Sequence, residues 1–205
     1  GMLENYELVQ KGFRVLHPLM AGYIGQEFSR VYKNGWWQEI LDALSDQYDL
    51  PSSGDYGDLI DSLDVMNCLR LIDRRWNEVF RTKLSLDYRT WSKELVGVRN
   101  KAAHIGGQDF SKSYAERALD TMALLCEAFD TEGVEEIALF IWKHALWLRG
   151  GFRSSNTSCC TCSGKSVESQ GKRRRYDALL WAASSELAGY YAAPSRCGRR
   201  SLPCR

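Results

Sequence analysis

"ELVGVRNKAAHIGG", residues 94–107, holds both the period that decides the fold and the polar groups that suggest a site. Leu95, Val98 and Ala102 recur at steps of three and four, the mark of one buried stripe along a helix. Trp91 extends the stripe backward, and Ser85 or Asp87 stands where an N-terminal cap belongs. "HIGGQD" breaks the pattern, with Gly106 expected to take the left-handed cap and Lys101 and His104 suiting the negative end of the helix dipole. Asn100 and His104 are four residues apart and share a face. Arg99 lies five residues before His104, about 140° away on an ideal helix of 3.6 residues per turn. Within one chain Arg99 and His104 therefore converge on one small group only if the helix end is distorted, whereas two copies packed antiparallel would bring two Arg and two His together. The stretch reads either as an ordinary polar helix end or as three parts of a site.

The same period extends through the chain on both sides. Leu8, Val9, Phe13, Leu16, Met20, Tyr23, Ile24, Phe28 and Val31 predict a helix from Tyr6 to Tyr32, kinked or restarted at Pro18. "WWQEILDALSDQY" gives a short second helix, and "LPSSGDYGD" is a loop. Leu59, Leu63, Met66, Leu69, Ile72, Trp76 and Val79 predict one long amphipathic helix. A further helix runs from about Ser111 to Phe129, and Asp130 or Thr131 would cap a short one through "GVEEIALF". No alternation of period two is long enough for a strand. The expected fold is all-α, an antiparallel bundle of about five helices.

Composition divides the chain. Residues 1–137 carry 15 Lys+Arg against 23 Asp+Glu, and residues 138–205 carry 12 against 3, so a total of +1 hides net charges of −8 and +9. The expected domains are a helical one over 2–137 and an atypical basic tail over 138–205. Cys68 and Cys126 lie in apolar helical patterns and read as reduced core thiols, which suits the cytoplasm. No apolar run reaches membrane-spanning length. The tail is rich in Ser, Cys, Gly and Arg, and three readings of it stand: a basic arm for nucleic acid through "GKRRRYD", a zinc site drawn from Cys159, Cys160, Cys162, Cys197 and Cys204, or a stretch from a shifted reading frame. C-C-x-C lacks the paired C-x-x-C knuckles of zinc sites, and no metal or other cofactor is expected.

Other polar residues read as structural. His17, before Pro18 on an apolar helix, suits packing or capping better than catalysis. Asp58, Asp61 and Asp64 resemble a metal face but suit a solvated acidic helix start, where carboxylates meet the positive end of the dipole. Trp36 and Trp37 read as core or interface. There is no phosphate-binding Gly loop and no Ser–His–Asp arrangement, so the common nucleotide-hydrolase and serine-hydrolase signatures are missing.

R-N-x-x-x-H in a small helical bundle resembles the HEPN superfamily, whose usual signature is Arg, four to six residues, then His. "LVGVRNKAAH" followed by "YAERALDTMALLCEAF" is similar to the branch named after the endonuclease Swt-one, and "MLENYELVQKGFRVLHPLMAGYIGQEF" looks like the N-terminus of bacterial members. The likeness covers residues 2–137. It implies a metal-independent ribonuclease or RNA-binding module that works as a homodimer, with Arg99 as the motif arginine, Asn100 as the polar residue after it and His104 as the motif histidine. A local basic patch of Arg99, Lys101, Lys93 and Arg89, doubled in a dimer, would offset the acidic charge and meet RNA. The resemblance also implies a defence-type setting and a larger parent protein with an ATPase domain, of which this chain would be a fragment. Two departures stand out: Ala102 where bacterial relatives often carry an aromatic residue, and "IGGQD", expected to loosen the chain after His104.

Overall fold

Amphipathic period becomes a closed ring of helices in the computed structural model, which describes residues 3–46 and 49–129 together with Ile141 and His144. The six α-helices among the described residues are α1 (Glu4–Tyr32), α2 (Trp36–Ala43), α3 (Tyr56–Asp61), α4 (Val65–Arg74), α5 (Leu86–Ala103) and α6 (Lys112–Cys126), and these residues include no strand. The all-α reading holds. α1 packs against α4 and α6, and α5 packs against the same two, so the four close a ring with α1 and α5 at opposite corners. α2 and α3 lie on α1. The core is built from Phe13, Leu16, Met20, Ile24 and Phe28 of α1 with Leu69 and Ile72 of α4, Leu95 of α5, and Leu119, Met122 and Leu125 of α6, all buried. Gly12 lets α1 and α6 approach closely, because a Cβ there would lie 2.6 Å from the Met122 sulfur.

Two elements differ from expectation. α1 runs unbroken through Pro18. Pro18 and Arg14 are both exposed, so the carbonyl deprived of its amide partner faces water, while the core face of α1 is held by its neighbours. The long helix expected over 59–79 is three pieces: α3, α4 and a π-helical turn over Trp76–Phe80. Asp64 leaves the helical conformation and caps α4 by accepting the Asn67 amide at 2.7 Å. The π turn closes with the Arg81 amide on the Trp76 carbonyl at 2.8 Å. Each break still turns Leu59, Leu63, Leu69, Ile72, Trp76 and Val79 inward, which is why the apolar steps look continuous.

Buried Glu27 on α1 accepts from Arg30 at 2.8 Å and from Lys83 at 2.7 Å, tying the segment after the π turn to the bundle. No helix among the described residues is long and apolar enough to cross a membrane. Ile141, past the boundary expected at 137, is fully buried with the core. The short helix expected through "GVEEIALF" and the tail with its basic run and five late cysteines lie outside the described residues, Ile141 and His144 apart.

Candidate functional site at the end of helix five

α5 reaches its last turn with one face covered and one open. Leu95, Val98 and Ala102 of the expected stripe are buried, while Trp91 is half-buried and its neighbour Ser92 takes the covered position. Ala102 is 2 % exposed, so a larger residue there would displace core side chains rather than reach the surface. On the opposite side Arg89, Lys93, Gly97, Asn100 and His104 follow one another at steps of four, four, three and four, which is one stripe of a helix. All of them but half-buried Arg89 are exposed. Gly97 is not singled out by the sequence; it is exposed in mid-helix with open space where a Cβ would stand.

His104 is the C-cap of α5, with φ −112° and ψ 23°, and its amide donates to the Lys101 carbonyl at 3.3 Å. Its imidazole is exposed and meets no hydrogen-bond or ion-pair partner among the described residues, and the same holds for exposed Asn100 and half-buried Arg99. Asn100 and His104 share the open stripe, whereas Arg99 projects from the side toward the covered face. The structure thus brings Asn100 and His104 together on the outward face and sets Arg99 to one side.

Arg89, Lys93, Glu94 and Lys101 of α5 are engaged. Arg89 donates to Asp73 of α4 at 2.7 Å and Lys93 lies 3.6 Å from the same carboxylate, so the charge of these two expected RNA contacts is partly offset. Glu94 accepts from Arg117 of α6 at 2.7 and 2.9 Å and from Thr121 at 2.9 Å. The Arg117 guanidinium holds the Glu94 carboxyl below its usual range, against the opposing effect of burial. Lys101 has no carboxylate partner among the described residues; its ammonium lies 4.1 Å from the centre of the Tyr114 ring.

The loop after His104 is pinned. Gly107, and not Gly106, takes the left-handed conformation, with φ 87°. The helix ends three residues earlier, at His104, so the glycine serves the turn into Asp109 rather than the cap itself. Asp109 then accepts the amides of Asn5 at 3.0 Å, Tyr6 at 2.8 Å and Phe110 at 2.8 Å, while the Asn5 side chain donates to the Phe110 carbonyl at 2.9 Å. Leu3, the N-cap of α1, makes no side-chain cap, and Asp109 fills that role from across the chain. Burial pushes the Asp109 carboxyl up, but the three amides outweigh it and hold the group below its usual range. A loosened "IGGQD" is therefore corrected: a carboxylate anchors its far end.

Of the residues set aside as structural, His17, Asp64, Trp36 and Trp37 are engaged, and Asp58 and Asp61 are exposed on α3. The His17 Nε2–H donates to the Leu63 carbonyl at the α3–α4 break. Asp55 caps α3 by accepting the Asp58 amide at 2.9 Å, Asp58 lies in the first turn, and Asp64 caps α4. Trp37 is buried and donates to the Pro51 carbonyl at 2.7 Å, and half-buried Trp36 lies 5.3 Å from Tyr56 ring to ring.

A helical ring with this motif at the end of α5 is matched by the family model for Swt1-like HEPN, over residues 11–130. The chain belongs to the Swt1-like HEPN family. The match starts inside α1, ends past α6 and so takes in Arg99, Asn100 and His104 of this HEPN domain. Comparison with curated proteins and with solved structures found no match.

Proposed function

We propose that this HEPN domain is a metal-independent endoribonuclease whose site is Arg99, Asn100 and His104, completed by the same residues of a second copy across a two-fold interface at the C-terminal end of α5. The observation that carries this reading is the freedom of the three side chains. Arg99, Asn100 and His104 make no hydrogen bond or ion pair among the described residues, although Arg89, Lys93 and Glu94 on the same helix are all engaged. A module that kept the motif for structure alone would lock Arg99 onto its own carboxylates. Among the described residues no carboxylate holds it.

RNA carries its own nucleophile, the 2′-hydroxyl beside each phosphate. As the 2′-oxygen bonds to phosphorus, His104 of one copy takes the hydroxyl proton; as the bond to the 5′-oxygen breaks, the other copy's imidazolium returns a proton to that oxygen. The products are a 2′,3′-cyclic phosphate and a 5′-hydroxyl. Arg99 meets the extra negative charge on the phosphorane with a fixed fork of donors, and Asn100, one turn from His104, orients the imidazole or holds a phosphate oxygen. Gly97 on the same stripe gives a second α5 room to approach.

The deciding experiment is cleavage of single-stranded RNA in EDTA by wild type and by His104→Ala. Cleavage by wild type with a cyclic phosphate on the upstream fragment, lost in the variant, is expected. A purified wild-type dimer that neither cuts nor binds RNA over several substrates and salt concentrations overturns the reading.

A further inference from the structure

Lys101 is the cation of α5 whose partner is a ring. Its ammonium sits 4.1 Å from the centre of Tyr114 and 5.9 Å from that of Phe110. Phe110 and Tyr114 lie 4.9 Å apart, and Tyr6 extends the series at 5.8 Å from Phe110. The rings are held from several sides. Phe110 follows Asp109, whose carboxylate binds three backbone amides, and the Tyr114 amide donates to the hydroxyl of the α6 cap Ser111 at 3.2 Å. Tyr114 keeps part of its surface in solvent, and Lys101 is exposed.

Resting on the ribonuclease reading of Arg99, Asn100 and His104, we propose that Tyr114, backed by Phe110, is a seat for one RNA base beside the cleavage site. Lys101 occupies that seat in the free protein and moves onto a phosphate when the base arrives. The face of a phenol ring that attracts an ammonium also stacks on a nucleobase, since every base presents a π face. Displacing Lys101 breaks no ion pair, unlike displacing Lys93 from Asp73, and the released ammonium gains a phosphate partner. The placement fits one nucleotide. Lys101 and His104 are three residues apart, about 4.5 Å of helix rise, and the His104 amide is bonded to the Lys101 carbonyl. A base on Tyr114 and a phosphate at His104 then belong to the same or the adjoining nucleotide. Such a seat tolerates any base and requires an unpaired one, so the substrate class is single-stranded RNA or a loop.

The test is an abasic scan. The full chain is titrated against a fluorescent single-stranded RNA carrying 2′-deoxyribose at the cleaved nucleotide, with an abasic site moved one position at a time. One position next to the cleaved bond should weaken binding to wild type by about 5- to 150-fold, the range for a lost base–aromatic stack. Tyr114→Phe should show the same profile, and in Tyr114→Leu the sensitive position should disappear. Lys101→Met should keep the sensitive position while the slope of log affinity against log salt falls by about one, a check that does not depend on the Leu variant folding. A flat scan on wild type, or a sensitive position that persists undiminished in folded Tyr114→Leu, overturns the seat and leaves the ribonuclease reading standing. A wild type that binds no RNA overturns both.

Discussion

Asp109→Ala should destabilise the domain through an element more than 100 residues away in sequence. The Asp109 carboxylate is the acceptor for the Asn5 and Tyr6 amides, separated from it by 104 and 103 positions, and for the Phe110 amide. Removing a side chain that caps a helix N-terminus costs about 0.5–2 kcal/mol, and the charge–dipole attraction adds about 0.3–1 kcal/mol. A loss of about 2 kcal/mol follows, which at roughly 4 °C per kcal/mol for a domain of intermediate size lowers Tm by about 8 °C. The pH dependence carries a sign. The folded Asp109 carboxyl titrates below its ordinary value of 3.8, so its stabilisation is complete above that ordinary value and is lost as pH falls through the folded value. The Tm difference between wild type and Asp109→Ala should be constant from neutral pH down to about 5 and should shrink below about 4. Asp109→Asn, which keeps an acceptor oxygen without the charge, should fall between them. Calorimetric melts of the three proteins across this range check it, with amide exchange at Asn5 and Tyr6 as a local readout. A difference below about 2 °C at neutral pH, or one that widens on acidification, would refute the assignment of Asp109 as the cap of α1.

Four further outcomes follow from the geometry. His104→Ala should lower RNA cleavage by about 10² to 10⁴ in EDTA, with a single 2′-deoxy substitution at the cleaved nucleotide abolishing it in wild type. Arg99→Lys should fail to restore most of the loss of Arg99→Ala in single-turnover rates, because an ammonium lacks the guanidinium fork. Asp73→Asn should tighten RNA binding at low salt by releasing Arg89 and Lys93, and an unchanged affinity would show that these two stay clear of RNA. Gly97→Ala should raise monomer stability by up to about 1 kcal/mol, since the site is open and helical, whereas Gly97→Glu should lower the dimer fraction in light scattering if the α5 faces meet.

Much of the fold could be read from residue types, and the reason is visible in single elements. Leu95, Val98 and Ala102 are buried because a step of three or four returns to the same side of a helix whatever the rest of the chain does. The break between α3 and α4 hid in that same regularity: Leu59, Leu63 and Leu69 face the core on both sides of it, and Asp64 looked like one more surface acid rather than a cap. Pro18 misled in the opposite direction, since its cost is small where the orphaned carbonyl faces water. At the candidate site, residue identity picked out Arg99, Asn100 and His104 for consideration but not their surroundings. Whether a cation is free or held depends on which carboxylate another helix brings to it, and the pairings of Arg89 with Asp73 and Glu94 with Arg117 have no local signature. Asp109 is the extreme case, a loop acid whose partners lie at the other end of the domain.

Those pairings also bear on how an acidic domain would attract RNA. Net charge over residues 1–137 is −8, yet a phosphate responds to the potential where it lands. The end of α5 is an unfavourable landing place on backbone grounds, because the negative pole of a helix repels anions within its last turn. An anion held there needs cations that no carboxylate has claimed, and Arg99 and Lys101 have none among the described residues. The carboxylates of this face are spent elsewhere, Asp73 on Arg89 and Lys93, Glu94 on Arg117, and Asp109 on backbone amides. Positive charge is thus left in the last two turns of α5, beside His104, and each copy in a two-fold dimer would contribute the same set. In the proposed dimer that concentration of cations would draw a phosphate to the motif.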